Sequence, residues 1–233
     1  MIEIYREFFS QAEAGQDFLL CPLLTRQPLL MYLRPLVANQ GLRVIDVGAS
    51  ANAWTDPVTA ATADIKPLAG SKLHFQIDIQ REKQWDQIVD YCDQNGQFDF
   101  AICSHTIEDL HLPDVCLEYL PRIARQGIVI VPSIHRELGR GDRGQKSKGY
   151  DHHLWCYTKG LDNELLMIPK MVHLEHKDYI IDTSGQQDEL QFLWRSDIKH
   201  KHFWSYPHQT IWQLYQGFDL ATPAQSSSIE QPI

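Results

Sequence analysis

No stretch of this 233-residue chain approaches the roughly 20 uninterrupted apolar residues of a membrane-spanning helix. The opening segment, residues 1–18, is acidic and interleaves polar with apolar positions. It has no basic start followed by an apolar run, so it does not read as a secretion signal. Cysteine is sparse. Cys21, Cys92, Cys103, Cys116 and Cys156 make five, an odd number, and no two stand in a C-x-x-C pair. That disfavours a disulfide framework and a zinc ribbon, and it points to a reducing, cytoplasmic setting. Positive charge is also short. Lys plus Arg is 21 against 30 Asp plus Glu, a net charge of −9. Wrapping a nucleic-acid backbone needs clustered cations, so the expected partner is a small molecule, with neither nucleic acid nor membrane. What is present is enough apolar sequence for one sizeable core, 43% of residues, with 10% aromatics. Histidine is the unusual abundance, at 11.

Residues 1–40 carry Ile4, Phe8, Phe9, Phe18, Leu19, Leu29 and Leu30 at near-helical spacing, which predicts a helical cap. Pro22, Pro28 and Pro35 are expected to cut it into short pieces, because proline lacks the N–H that a helix interior uses. From residue 41 the rhythm changes. Residues 42–48 (LRVIDVG) read as a buried strand and tight turn. Residues 63–65, 73–78, 98–104 and 127–132 read as further strands. Between them, residues 82–95 show helical spacing at Trp85, Ile88, Val89 and Cys92, stopped by Gly96. Residues 114–125 show it at Val115, Leu117, Leu120 and Ile123, with Pro121 expected to kink or shorten that helix. Strands alternating with helices predict an α/β protein with a mostly parallel sheet. Residues 41–134 are its core, and residues 135–220 are an extension of the same domain. The extension opens on a glycine-rich basic loop (135–150), then has strands over 165–174 and 179–182 and aromatic pairs at Phe192–Trp194 and Phe203–Trp204. Residues 221–233 are a polar tail expected to be disordered.

Three groups of residues bear on chemistry. Asp46 within a strand, followed by Gly48 at its carboxyl end, is how an open α/β sheet makes room for a nucleotide-like ligand. The full glycine fingerprint is missing, so a plain structural turn fits the residues too. Asp64 and Asp78 close the next two strand candidates. A carboxylate there can accept a hydrogen bond from a ribose hydroxyl or an amine, and each acid alone also suits a solvated loop. Clustered histidines come third. Adjacent residues of an extended segment point to opposite faces, so one of His152 and His153 would face a pocket. A neutral imidazole there can take a proton from a substrate, with Glu137 placed to orient it. His135, Glu137, Asp151, His152, His153 and Cys156 supply metal donors, but no ligand spacing organises them, and no metal is expected. His200 and His202 read as a solvated, partly charged face.

Residues 98–110, F-D-F-A-I-C-S-H-T-I-E-D-L, resemble the fourth strand and following loop of class I S-adenosylmethionine-dependent methyltransferases, where F-D-x-x-x-x-x-H-x-x-E-H-L is common. Asp109 stands in place of the second histidine. Residues 125–132 resemble the K-P-G-G-x-x-x-x-x-P segment that follows, with one glycine and the proline lost. With residues 44–48 and the two acids, the resemblance covers about residues 40 to 135. It implies a seven-stranded Rossmann-like methyltransferase sheet, with S-adenosylmethionine at the strands' carboxyl ends. Asp46, Gly48 and Ala49 match the first cofactor motif, and Asp64 matches the ribose acid. Asp78 and Ile79 match the adenine side, and Ser104 and His105 match the loop beside the methionine moiety. The loop after Gly48 departs from the family in lacking a second glycine, and residues 52–63 are too few for its long first helix. Residues 149–155 (GYDHHLW), together with Val131-Pro132-Ser133 and Glu137, resemble a branch of methyltransferase-domain proteins with an S-H-H-R-W segment. Leu154 replaces the arginine.

The expected function is methyl transfer from S-adenosylmethionine to an oxygen or nitrogen of a small metabolite or sugar. His152 or His153 is the expected base, supported by Glu137. Two rivals share the fold: a metal-dependent hydrolase-type enzyme using the histidine cluster, and a ligand-binding module without chemistry. Trp204, Tyr206, Trp212, Tyr215 and Phe218 suit either a homodimer interface or packing on the sheet.

Overall fold

The computed structural model describes residues 1–22, 26–51, 53–68, 72–133, 154–159, 163–169 and 187–203. Its centre is a seven-stranded sheet built from β1 (Gly15–Pro22), β2 (Val44–Val47), β3 (Ala61–Asp64), β4 (Leu73–Gln76), β5 (Phe100–Ser104), β6 (Gln126–Pro132) and β9 (Gln187–Arg195). Their order across the sheet is β1-β9-β6-β5-β2-β3-β4. β9 is antiparallel to both neighbours, β1 and β6, and the other pairings are parallel. The protein is therefore α/β and Rossmann-like, with one reversed strand.

The alternation of side chains along each strand sorts the core into two faces. Val44, Phe100, Ile102, Ile128, Ile130 and Leu193 lie on one face. They pack under α1 (Ile2–Ser10) and α2 (Arg26–Gln40) through Tyr5, Phe8, Leu29, Leu30 and Leu33. Ile45, Val47, Ala101, Cys103, Val129, Val131, Phe192 and Trp194 lie on the other. They meet α3 (Glu82–Asn95) and α4 (Pro113–Ile123). Burial on both faces is why β6 is apolar throughout. A smaller sheet of β7 (Leu154–Lys159), β8 (Glu164–Pro169) and β10 (His200–His202) adds Leu154, Cys156, Leu165 and Met167 to this second face.

The helical reading of residues 1–40 holds for α1 and α2 but not between them. Residues 15–22 are an edge strand, paired with β9 along its length. Apolar residues at 18–21 fit a strand as well as a helix, and β9 decides. The main sheet therefore draws on both ends of the chain as well as on residues 41–134. The prolines do not fragment α2 either. Pro28 falls in its first turn, where a backbone N–H has no intrahelical partner anyway. Pro35 is inside the helix, which Leu29, Leu30 and Leu33 hold against the sheet. Pro121 lies two residues from the end of α4, consistent with early termination.

Among the described residues, parallel strands β2 and β3 are joined without a helix. The crossover consists of turns, with the Val58 N–H donating to Thr55 O at 2.9 Å and the Ala60 N–H donating to Val44 O at 2.8 Å. Residues 137, 152 and 153, the tail 221–233, the span 170–182 and Trp204 to Phe218 lie outside the described residues.

Candidate functional site

Strand order reverses direction at β2. β3 and β4 lie to one side of it, β5 and β6 to the other. Such a switch point opens a crevice at the strands' carboxyl ends. Asp46 stands there, on the α1/α2 face, and is buried. Its Oδ2 accepts the hydroxyl of Thr55, from the β2–β3 crossover. Burial pushes the Asp46 carboxyl up to about 6; Thr55 lowers it, while Asp56 and Asp64 raise it. Burying an acid with a hydroxyl as its hydrogen-bond partner is costly, and acids perturbed in this way are found at functional sites as well as in structural networks.

Gly48 follows with φ +79°, in the left-handed region that favours glycine. A Cβ on Gly48 would overlap the side chain of Thr106. The glycine is thus required by close approach of the loop after β5 as well as by its own turn. Thr106 Oγ1 donates to Ser104 O at 3.2 Å. Ala49 is buried beside it. Asp64, at the end of β3, accepts the Lys66 N–H on Oδ1 at 2.7 Å. Asp46, Gly48, Ala49, Asp64, Ser104 and His105 are therefore carried to one end of adjacent strands.

Asp78 and Ile79 are differently employed. Asp78 Oδ1 accepts the Gln80 N–H at 3.1 Å and Oδ2 pairs with Arg81 Nε at 3.1 Å, shaping the turn into α3. Ile79 is buried, and its carbonyl accepts Trp85 Nε1 at 3.0 Å. His200 and His202 do not form a solvated face. They flank Asp114 of α4, with His202 Nδ1 2.9 Å from Oδ2 and His200 Nε2 3.5 Å from Oδ1. The His202 side chain is 3% exposed. Glu137, His152 and His153 lie outside the described residues. Among the described residues, no three His, Cys, Asp or Glu side chains are grouped to hold a metal ion, and no helix is long and apolar enough to cross a membrane.

His105 is the best-defined polar centre. Its backbone has φ +50° and its N–H donates to Ile130 O at 2.8 Å, so the ladder between β5 and β6 continues into it. Its ring lies between two carboxylates. Nε2 is 2.9 Å from Glu189 Oε1, and Nδ1 is 3.3 Å from Glu108 Oε1. Burial pushes the imidazole down, but the two carboxylates outweigh it and raise it to about 9. At neutral pH the ring is a cation with both nitrogens committed, and it is not a free base. Glu108 belongs to the 3-10 turn Ile107–Asp109, three residues on from His105 and inside the motif that carries the family resemblance. Glu189 comes from β9, 84 residues away. It shares a strand face with Gln191, whose Oε1 accepts the Tyr5 hydroxyl at 2.5 Å. Glu189, Glu108 and Thr55 were not expected from the sequence. The H-x-x-E spacing is a local signal for Glu108, whereas Glu189 has none.

A scan against protein-family models finds no match, and no curated protein matches the chain.

Proposed function

We propose that this protein is an S-adenosylmethionine-dependent methyltransferase acting on an oxygen or nitrogen of a small molecule. One observation carries the reading: buried Asp46 and left-handed Gly48 stand at the sheet's switch point, with Asp64 closing the neighbouring strand. In this reading Asp64 takes the ribose, Asp46 and Gly48 hold the turn against the nucleoside, and Ser104 and His105 border the methionine end. The bound cofactor supplies an activated methyl group. The chain's contribution is positioning and exclusion of water. His152 or His153, oriented by Glu137, is the base of this reading.

Calorimetric titration with S-adenosylmethionine and with S-adenosylhomocysteine tests it. Micromolar binding that is lost in Asp64→Ala is expected. No binding of either ligand by a folded protein overturns it. A second reading is favoured by two features, the helix-free β2–β3 crossover and the packing of Thr106 against Gly48. It is a protein of this fold that no longer methylates, either a metal-dependent hydrolase-type enzyme using the histidine cluster or a ligand-binding module. It predicts no cofactor binding in the same titration.

A further inference from the structure

Among the described residues, the carboxyl end of the sheet carries more acids than bases. Asp46, Asp64, Glu108 and Glu189 close or flank its strands. Against them stand His105 and, two residues beyond Asp64, Lys66. Lys72 is occupied elsewhere, on Thr59 Oγ1 at 2.9 Å and Asp56 Oδ1 at 3.3 Å. Glu108 and Glu189 place two carboxyl groups on the one imidazole of His105. Within that trio, Glu189 is 0% exposed, and its Oε2 meets no hydrogen-bond partner among the described residues. Burying a carboxylate oxygen with nothing to accept from is expensive, and the natural remedy is a donor that arrives with a ligand. The His105 side chain, in contact with Glu189, is 23% exposed.

Position decides which part of a ligand this oxygen serves. Asp64 ends β3 and Glu189 lies in β9, with β2, β5 and β6 between them. Four strand spacings are about 19 Å. Glu189 therefore stands well away from the ribose acid, on the far side of His105. A buried carboxylate oxygen without a donor attracts a protonated nitrogen.

We propose that Glu189, held by His105, is the docking point for a primary ammonium group of the methyl acceptor. The acceptor is thus an amine, bound here through its ammonium group as a handle. This rests on the methyltransferase reading for the word acceptor alone; the ammonium site itself is tested without turnover.

The test uses the full chain saturated with S-adenosylhomocysteine, titrated with matched pairs: phenethylamine against 2-phenylethanol, and 1,4-diaminobutane against 1,4-butanediol. A charge-assisted hydrogen bond gives an amine preference of about 10- to 100-fold. That preference should vanish in Glu189→Gln, which keeps the shape and an acceptor for His105 but removes the charge. Equal binding of amines and alcohols by the wild-type protein, or no binding of either, overturns the proposal without need of a variant. An amine preference that survives in folded Glu189→Gln also overturns it. Competition between the amines and S-adenosylhomocysteine would overturn the assignment to the acceptor and give Glu189 to the cofactor's own ammonium group. If S-adenosylhomocysteine does not bind, the methyltransferase reading fails, and the amine–alcohol comparison on the unliganded protein then judges the ammonium site alone.

Discussion

Asp46 stores a measurable cost. Its folded-state value of about 6 lies above the ordinary 3.8, because burial disfavours the charged form. Folding then takes up a proton between about pH 4 and pH 6, so stability falls as pH rises through that window and stays lower above it. Two units correspond to about 3 kcal/mol. Asp46→Asn, which keeps a partner for Thr55, is expected to match the wild type at pH 4 and exceed it by up to about 3 kcal/mol at pH 7 in urea titrations. In the methyltransferase reading the same variant loses cofactor affinity. His105 has a dependence of the same sign in a higher pH window. A folded-state value raised from 6.5 to about 9 contributes stability in full below about pH 6.5, and the contribution is lost as pH rises to 9. NMR titration of the ring should find its midpoint near 9. In His105→Ala the alkaline loss should disappear. That variant should be less stable by about 3–5 kcal/mol at pH 7, since two buried carboxylates lose their shared cation.

At the scale of elements, the small sheet is tied to the helix layer through Asp114, in the first turn of α4, and the two histidines of β10. Asp114→Ala should cost about 1–3 kcal/mol. Hydrogen exchange should quicken in β8 and β10 and stay unchanged in β5 and β6; uniform quickening would show that the tie is not local. The uneven legibility of the elements has a physical cause. β2, β6, α3 and α4 are readable from the sequence because each combines a β-branched run or a helical stripe with a glycine or proline boundary, whereas β3 lacks both cues and the reading at 63–65 overlaps it only in part. Trp85, Ile88 and Cys92 are such a stripe, and Gly96 ends it. β1 and β9 are not readable in that way. Phe18 to Cys21 form a short apolar run that suits either period, and Phe192 to Trp194 show as aromatics without a partner. Each is a strand because of the other. The site divides along the same line. Asp46, Gly48, Asp64 and His105 sit in local patterns tied to strand ends, whereas Glu189 reaches His105 only through the pairing of β9 with β6.

For the whole molecule, the first 22 residues are structural members of the sheet. β1 covers the edge of β9, Tyr5 donates to Gln191, and Arg195 is hydrogen-bonded to the Gln11 carbonyl and stacked on Phe8. A chain lacking residues 1–22 is expected to lose its cooperative thermal transition and to aggregate, because it bares both a strand edge and the apolar face under α1. A monomeric truncation with unchanged circular dichroism and melting would refute that view. The pairing also sets a timetable. Pro22 lies opposite Gln187 and Gly15 opposite Arg195, separations of 187 − 22 = 165 and 195 − 15 = 180 residues. At about 5–20 residues per second of synthesis, the β1 segment leaves the ribosome roughly 10–40 s before its partner exists. During that interval Phe18, Leu19, Leu20 and Cys21 form an unmatched apolar run, so the nascent chain is a natural client for a holdase chaperone. β1 must wait for a strand made about 165 residues later.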